Sequence, residues 1–177
     1  MSESLPFDGY VATRLPALLR YATLLCGDPD DARDLVQEVL TKALVRWSRI
    51  SATERVDAYI RAMVTNEFLS DRRRRRRRPQ VPLPDRQDGP GMPAVQPPDP
   101  DTGAHTELWT RLLRLPPRQR AVVVLRYYED LSDAQIAAVL GCREGTVRTY
   151  ASRALGALRV DLVPVGSTRP SPQGDPS

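Results

Sequence analysis

Seven consecutive arginines, Arg72 to Arg78, form the densest run of charge in the sequence, and Pro79 follows them directly. A guanidinium group stays charged at neutral pH and donates hydrogen bonds from a planar fork that suits phosphate oxygens. Because only Asp71 adjoins the run, most of these charges need an anion from elsewhere. The run is either a solvated helix end or a clamp for nucleic-acid phosphates, and we favour the clamp.

A second group of side chains suited to nucleic acid lies in the segment "CREGTVRTYASRALGALRV". Apolar residues from Val147 to Leu158 share one face of a predicted helix. The opposite face carries hydroxyl and guanidinium groups, which can contact phosphates and base edges in the major groove. The residues of this predicted DNA-facing surface are Arg143, Glu144, Thr146, Arg148, Thr149, Ser152 and Arg153.

The residues around the start of this helix have helix-turn-helix spacing. In "AQIAAVLGCREGTVRTY", Ala137 is small enough for two helices to cross closely, and Gly141 supplies the turn. Val147 then anchors the second helix against Ile136 and Leu140 of the first. A helical hairpin used only for packing is the alternative, but such a hairpin rarely has Ala, Gly and Val at these offsets.

A third polar surface is predicted in the first half of the chain. Asp34, Gln37 and Glu38 share one helix face, opposite an apolar stripe. A surface of this kind suits a basic protein partner. An ordinary solvated acidic face is the alternative.

The helices that carry these surfaces can be predicted from the residues that begin and end them. The first predicted helix covers Tyr10–Leu25 and ends at Gly27. Asp28 is placed to cap a second helix whose first position is Pro29. The apolar residues of this second helix recur at helical spacing as far as Leu44 and Trp47.

A third helix is predicted to follow "SATE", residues 51–54, which has the spacing of a capping box. No breaker interrupts it before Pro79. Because a residue that precedes proline avoids the α-helical region, the helix should stop near Arg77 or Arg78. The arginines therefore continue a helix.

Four further helical segments are predicted after residue 105, with Pro117 at the first position of one and a capping box, Ser132 to Gln135, at the start of another. Residues 79–105 contain eight prolines and three glycines, which predicts a flexible linker. Its 27 residues would span roughly 80 Å as polyproline II. The composition after residue 162 predicts a disordered tail.

Composition narrows the function classes. The net charge of +4 is divided between two basic blocks on either side of an acidic connector, which favours an anionic partner. Two distant cysteines and a single histidine cannot form a Cys/His metal cluster, so neither metal nor cofactor is expected. No secretory signal pattern is present, and no apolar run approaches the length of a membrane span.

These motifs resemble those of bacterial sigma factors of the extracytoplasmic-function type (group IV). "GDPDDARDLVQEVLTKAL" resembles the part of region 2 that docks on the β′ clamp of RNA polymerase. "VDAYIRAMVTNEFLSDRRRR" resembles the helix that melts and reads the −10 element. The segment from "LRLPPRQR" to "RALGALR" resembles region 4, which reads the −35 element. The long arginine run resembles an actinobacterial, sigma-E-like subgroup.

The resemblance implies an all-α fold of two small helical domains. These are region 2 at 8–78 and region 4 at 106–162, with a linker at 79–105 and a tail at 163–177. It implies a cytoplasmic subunit that binds core RNA polymerase through its β′ clamp and β flap, binds promoter DNA, and is restrained by an anti-sigma factor. No membrane insertion is expected.

The resemblance also gives the candidate residues their roles. The loop at 48–55 would surround a base flipped out of the non-template strand. Arg143 stands where many relatives have Ser. The residues that would read the −35 element are Arg143, Thr146, Arg148, Thr149, Ser152 and Arg153. The polymerase-binding residues would be Asp34, Leu35, Gln37 and Glu38. The −10 contacts would be Arg61, Asn66, Arg72, Arg73, Arg74, Arg76 and Arg77.

Two other functions remain as alternatives. In the first, the chain is a stand-alone helix-turn-helix regulator whose first half senses a signal or dimerises. In the second, it is an enzyme that acts on nucleic acid. The second has little support, because the sequence lacks a phosphate-binding loop and a credible cluster of carboxylates. We expect a sigma factor that is not an enzyme.

Overall fold

The computed structural model describes residues 6–77 and 103–160, with side chains described for 6–74 and 107–159. Every regular element in these two ranges is helical, which confirms the expected all-α fold. Most of the predicted linker and all of the predicted tail lie outside the described residues. The first range contains α1 (Phe7–Cys26), α2 (Pro29–Val45), α3 (Trp47–Ile50) and α4 (Val56–Arg77). The second contains α5 (Gly103–Arg114), α6 (Pro117–Val123), a π-helical turn (Val124–Tyr128), α7 (Asp133–Leu140) and α8 (Glu144–Val160).

The connection between α1 and α2 is built as the sequence predicts. Gly27 adopts the left-handed conformation, with φ of 83°, and its N–H donates to the carbonyl of Thr23. The Asp28 carboxylate then accepts hydrogen bonds from the N–H groups of Asp30 and Asp31. The chain therefore reverses within a few residues, and α1 packs against α2.

The start of α4 differs from the prediction. The chain forms the additional short helix α3, and Ser51 closes it, because the Ser51 N–H donates to the carbonyl of Trp47 at 2.8 Å. Its hydroxyl also points back, to the carbonyl of Ser48. The capping box predicted at 51–54 is therefore wrong, and α4 begins only at Val56. The predicted continuation of α4 into the arginines is confirmed as far as Arg77, the last described residue of this range.

The second range matches its predicted signals closely. Pro117 opens α6. A complete capping box opens α7, in which the Ser132 hydroxyl accepts from the N–H of Gln135 and the Gln135 side chain accepts from the N–H of Ser132. Gly141 ends α7 in the left-handed conformation, with φ of 61°. This turn sets the angle at which α8 leaves α7.

One continuous core joins the helices of both ranges. Tyr21 and Phe68 are among its largest buried side chains, and the Tyr21 hydroxyl lies 2.6 Å from the Thr65 hydroxyl in the middle of it. Helix α4 packs against α1 and α2 on one side and against α6 and α7 on the other. Within the described ranges, no helix is both long enough and apolar enough to cross a membrane.

Candidate nucleic-acid interface

The crossing of α7 and α8 has the packing that its sequence predicts. Ile136 and Val147 are fully buried, and Ala137 and Leu140 are also buried. The small side chain of Ala137 suits a close approach of the two helices, which pack against each other with Val147 in the core. One face of α8 is thus fixed in the core, and its other face is presented to solvent.

The outward face of α8 carries most of the predicted −35 residues. Ser152 and Arg153 are exposed. Arg148 lies 3.6 Å from Glu144 in a pair with both side chains more than half exposed, so water screens the attraction and the guanidinium stays available. Thr146 is half-buried, and the Thr149 hydroxyl donates to the carbonyl of Gly145.

Arg143 stands immediately before α8. Its carbonyl accepts from the N–H groups of Thr146 and Val147, so its backbone closes the first turn of the helix. The Arg143 side chain is exposed at the same end of the helix as Glu144.

The arginine run divides into residues with different surroundings. Arg72 is half-buried, donates to the carbonyl of Cys26 at 3.2 Å and lies over the ring of Phe68. Its guanidinium therefore helps to hold α4 against the end of α1. Arg73 and Arg74 are exposed. The side chains of Arg76 and Arg77 lie outside the described residues.

An ion network connects Arg74 to α2. Glu67 accepts from Arg74 at 2.5 Å and from Lys42 at 2.6 Å, and Lys42 also donates to Glu38 at 2.8 Å. Burial opposes ionisation of Glu67, but these two cations outweigh it and lower the pKa of the carboxyl. Hydrogen bonds to Glu38 and Glu67 raise the pKa of Lys42. The network joins Glu38, at one edge of the predicted docking face, to Glu67 and Arg74 of α4.

On α2, the predicted docking face is only partly at the surface. Asp34, Gln37 and Glu38 are exposed on one side of the helix. Leu35 is 7% exposed and belongs to the core, because it lies on the apolar stripe that packs inward. Leu35 is therefore removed from the predicted docking surface.

The two predicted −10 residues in the middle of α4 lie on different sides of the helix. Asn66 is exposed, beside Tyr59 and Lys42 in a shallow groove. Arg61 was expected on an exposed face, but it forms an ion pair with Glu129 from the π-helical turn of the second range. Burial raises the pKa of Glu129, although Arg61 opposes this shift. The structure therefore does not bring Arg61 and Asn66 together.

Comparison with known protein families gives a match for each half of the chain. Residues 10–78 match the family model of Sigma-70 region 2, and residues 105–158 match that of Sigma-70, region 4. The chain belongs to the sigma-70 family of RNA polymerase sigma factors. As a sigma factor it directs core RNA polymerase to promoters for transcription initiation, which confirms the predicted function.

Individual relatives place it in the extracytoplasmic-function group. It is 39% identical to the RNA polymerase sigma-E factor of Streptomyces coelicolor over 92% of this chain and 89% of that protein. It is 37% identical to the ECF RNA polymerase sigma factor SigL of Mycobacterium tuberculosis, strain H37Rv, over 86% of each chain. The solved sigma factor RpoE of Bartonella quintana, in complex with the anti-sigma factor NepR, superposes with a TM-score of 0.64 at 26% identity, over 89% of this chain and 98% of that one.

The structure also exposes residues of the sigma factor that sequence reasoning missed. Leu44 and Val45, at the end of α2, are 54% and 83% exposed. Leu44 was assigned to the buried stripe, which is wrong: in the last turn of α2 Ala43 is fully buried, whereas Leu44 is left exposed. The signal available in the sequence was Val45, an apolar residue that does not fit the helical stripe. Tyr127 is also exposed, in the π-helical turn of region 4.

Proposed function

We propose a division of the initiation function among three surfaces of this sigma factor. In region 2, Asp34, Gln37 and Glu38 dock on the β′ clamp of core polymerase. Helix α4, its arginines and the loop at 48–55 melt and read the −10 element. In region 4, the outward face of α8 reads the −35 element while the domain docks on the β flap. The protein acts in the cytoplasm, through binding and without catalysis of its own.

The outward face of α8 is the observation that carries the proposal. Arg148, Thr149, Ser152 and Arg153 are exposed on the outward face of α8, while Val147 and Ala151 on its inner face are buried. A helix held in this way by a helix-turn-helix can enter the major groove with its polar face toward the bases. Guanidinium groups favour guanine and phosphate, and hydroxyls can bind either bases or backbone.

The docking surface is supported by its charge. Asp34 and Glu38 lie one turn apart on the exposed side of α2, and the Glu38 side chain is 49% exposed even though it pairs with Lys42. An exposed acidic pair on a rigid helix complements a basic partner and increases its association rate. An anti-sigma factor is also proposed as a partner, because the similar RpoE of Bartonella quintana was solved in complex with NepR.

Run-off transcription tests the proposal. Core RNA polymerase, the purified chain and a library of genomic fragments should give discrete transcripts that are absent without the chain. Their start sites should share two upstream elements about two helical turns apart. Specific DNA binding by the chain alone, with no association with core polymerase and no transcripts, would instead identify a stand-alone regulator.

A further inference from the structure

Lys42, the only lysine in the sequence, joins α2 to α4. Its ammonium group donates to Glu38, one turn earlier on α2, at 2.8 Å, and to Glu67 of α4 at 2.6 Å. The other oxygen of the Glu67 carboxylate accepts from Arg74 at 2.5 Å. Glu67 is therefore held between two cations, one from each helix.

The pair between Glu67 and Arg74 withdraws one member of the arginine run from DNA. The two residues are seven positions apart on α4, about two helical turns, so the Arg74 side chain extends back along the helix to reach the carboxylate. The nitrogen that donates to Glu67 cannot donate to a phosphate at the same time. Glu67 and a DNA phosphate therefore compete for Arg74.

The Glu67 carboxylate lies where its charge acts strongly. Its side chain is 14% exposed, whereas those of Lys42 and Arg74 are 45% and 59% exposed. Water therefore screens the acid less than it screens the two cations. Glu67 also lines the shallow groove that contains Asn66, so an uncompensated charge here would repel a DNA strand at the proposed −10 surface.

Lys42 limits how strongly Glu67 can hold Arg74. A carboxylate carries one negative charge, and its attraction for one cation falls when a second cation lies beside it. Hydrogen bonds to Glu38 and to Glu67 raise the pKa of Lys42, so this second cation stays charged. Without Lys42, the full charge of Glu67 would act on Arg74 and on the groove.

We propose that Lys42 is a positioning residue for promoter DNA, which offsets the charge of Glu67 and thereby lets Arg74 exchange from Glu67 to a phosphate. Lys42 acts through Glu67 and not through a DNA contact of its own. The inference rests on the phosphate-binding role proposed for the arginines of α4. It adds Lys42 and Glu67 to the residues that set the strength of −10 binding.

Four holoenzymes test the role of Lys42: the parent, Lys42→Gln, Glu67→Gln and the double variant. Each is assembled with the chain in saturating amount and titrated with a fluorescent promoter fragment found by run-off transcription, at several salt concentrations. Lys42→Gln should bind about three-fold more weakly than the parent, the size of effect expected of one partly exposed ion pair. Its slope of log K against log salt should fall by up to about 0.9, because Arg74 stays on Glu67.

The double variant distinguishes a positioning role from a direct contact. It should bind DNA as tightly as Glu67→Gln does, because no carboxylate remains to hold Arg74. If it binds more weakly than Glu67→Gln by the same three-fold factor, Lys42 contacts DNA directly and the inference is overturned. Lys42→Arg is the matched control, which keeps the charge and should bind as the parent does, and circular dichroism checks that each variant is folded.

Arg74→Gln separates this inference from the proposed function. If Arg74→Gln weakens DNA binding in the Glu67→Gln background while Lys42→Gln has no effect, the role of the arginine stands and only the role of Lys42 fails. If Arg74→Gln changes neither the affinity nor the salt slope, in the parent and in Glu67→Gln alike, the phosphate-binding role of Arg74 fails and the inference fails with it.

Discussion

Arg120 of region 4 donates a hydrogen bond to the carbonyl oxygen of Leu25 in region 2, with 2.7 Å between the two atoms. The next carbonyl along the chain, that of Cys26, accepts from Arg72 of α4. Two arginines from different elements therefore cap the same helix end. Burial, and then the nearby charge of Arg72, lower the pKa of Arg120, but an arginine remains charged at neutral pH. The end of α1 is a junction at which both regions meet.

Loss of the Arg120 guanidinium should destabilise the protein. Arg120→Leu removes hydrogen bonds to the carbonyls of Leu25, Leu113 and Leu115, which then lack this donor in a buried site. We expect the free energy of unfolding to fall by roughly 2–3 kcal/mol. Urea denaturation measures the loss, with Arg114→Leu, a change at an exposed position of α5, as the control. Equal stability of the two variants would contradict this role.

Charge reversal on α2 should weaken binding to core polymerase. Asp34→Lys and Glu38→Lys replace acids on the exposed face with cations that repel a basic partner. Affinity for core enzyme should fall about ten-fold or more, which corresponds to about 1.4 kcal/mol. The matched control is Glu54→Lys, the same charge change in an exposed loop. Pull-down that is unaffected by both docking variants would remove this surface from the interface.

Removal of either outward arginine of α8 should weaken −35 recognition. Arg148→Ala and Arg153→Ala each delete an exposed guanidinium without a change in the buried face. A bidentate base contact is worth roughly 1–3 kcal/mol of discrimination, so transcription from promoters that depend on the −35 element should fall. Arg159→Ala, in the last turn of the same helix, is the control. The role is excluded for a variant that keeps full activity and the same −35 preference.

Ionisation of Glu67 should make stability depend on pH in the acid range. Its pKa is lowered in the folded state, so its stabilisation is present above the unfolded value of about 4.3 and is lost as pH falls through the folded value. Glu67→Gln should therefore cost about 1 kcal/mol at pH 7 and little near pH 3. Urea denaturation at both pH values tests this, with Glu54→Gln as the control. If Glu67→Gln lowers the free energy of unfolding equally at both pH values, the ionised carboxylate does not contribute to stability through the ion network.

Features that depend on near neighbours in the sequence could be predicted from it. The caps at Asp28 and Ser132, the glycine turns and the helix-turn-helix crossing are each specified within a few residues. The capping box predicted at Ser51 was wrong because two local interactions compete for this residue. Its hydroxyl can cap a following helix or close the preceding turn, and in the structure it closes the short helix α3. Spacing alone could not decide between them.

Features that depend on distant residues could not be predicted. Arg61 has the position of an exposed residue on α4 when only region 2 is considered. Its partner Glu129 lies 68 residues further along the chain, and the sequence carries no signal for how region 4 packs. The burial predicted for Leu44 was wrong for a related reason, since it depends on which face of α2 the other helices cover. The exposure of candidate residues was therefore easier to predict where it depends on a single helix than where region 2 and region 4 are in contact, as at Arg61.

The arginines at the end of α4 should add affinity for DNA and little sequence preference. Guanidinium-to-phosphate contacts do not depend on base identity, and their free energy comes largely from released counterions. Side chains on successive helix positions point around the axis, so about three or four of the seven can reach one strand together. Replacement of Arg74, Arg75, Arg76 and Arg77 by Gln should reduce the slope of log K against log salt by about 0.7 to 0.9 for each phosphate that is no longer neutralised.

The same variant tests whether the arginines act without sequence preference. This requires measuring its binding to strong and weak promoters and to core polymerase, in addition to the slope of log K against log salt. Holoenzyme should bind strong and weak promoters more weakly by a similar factor, because guanidinium groups on phosphates do not read sequence. Core binding should change little, since Asp34, Gln37 and Glu38 are unaltered and Lys42 can still pair with Glu38. The control carries Arg20→Gln and Arg114→Gln, two exposed arginines outside the proposed surfaces. Titration of fluorescent promoter DNA at several salt concentrations measures the slope, and a slope equal to that of the control would mean that the run is a solvated helix end.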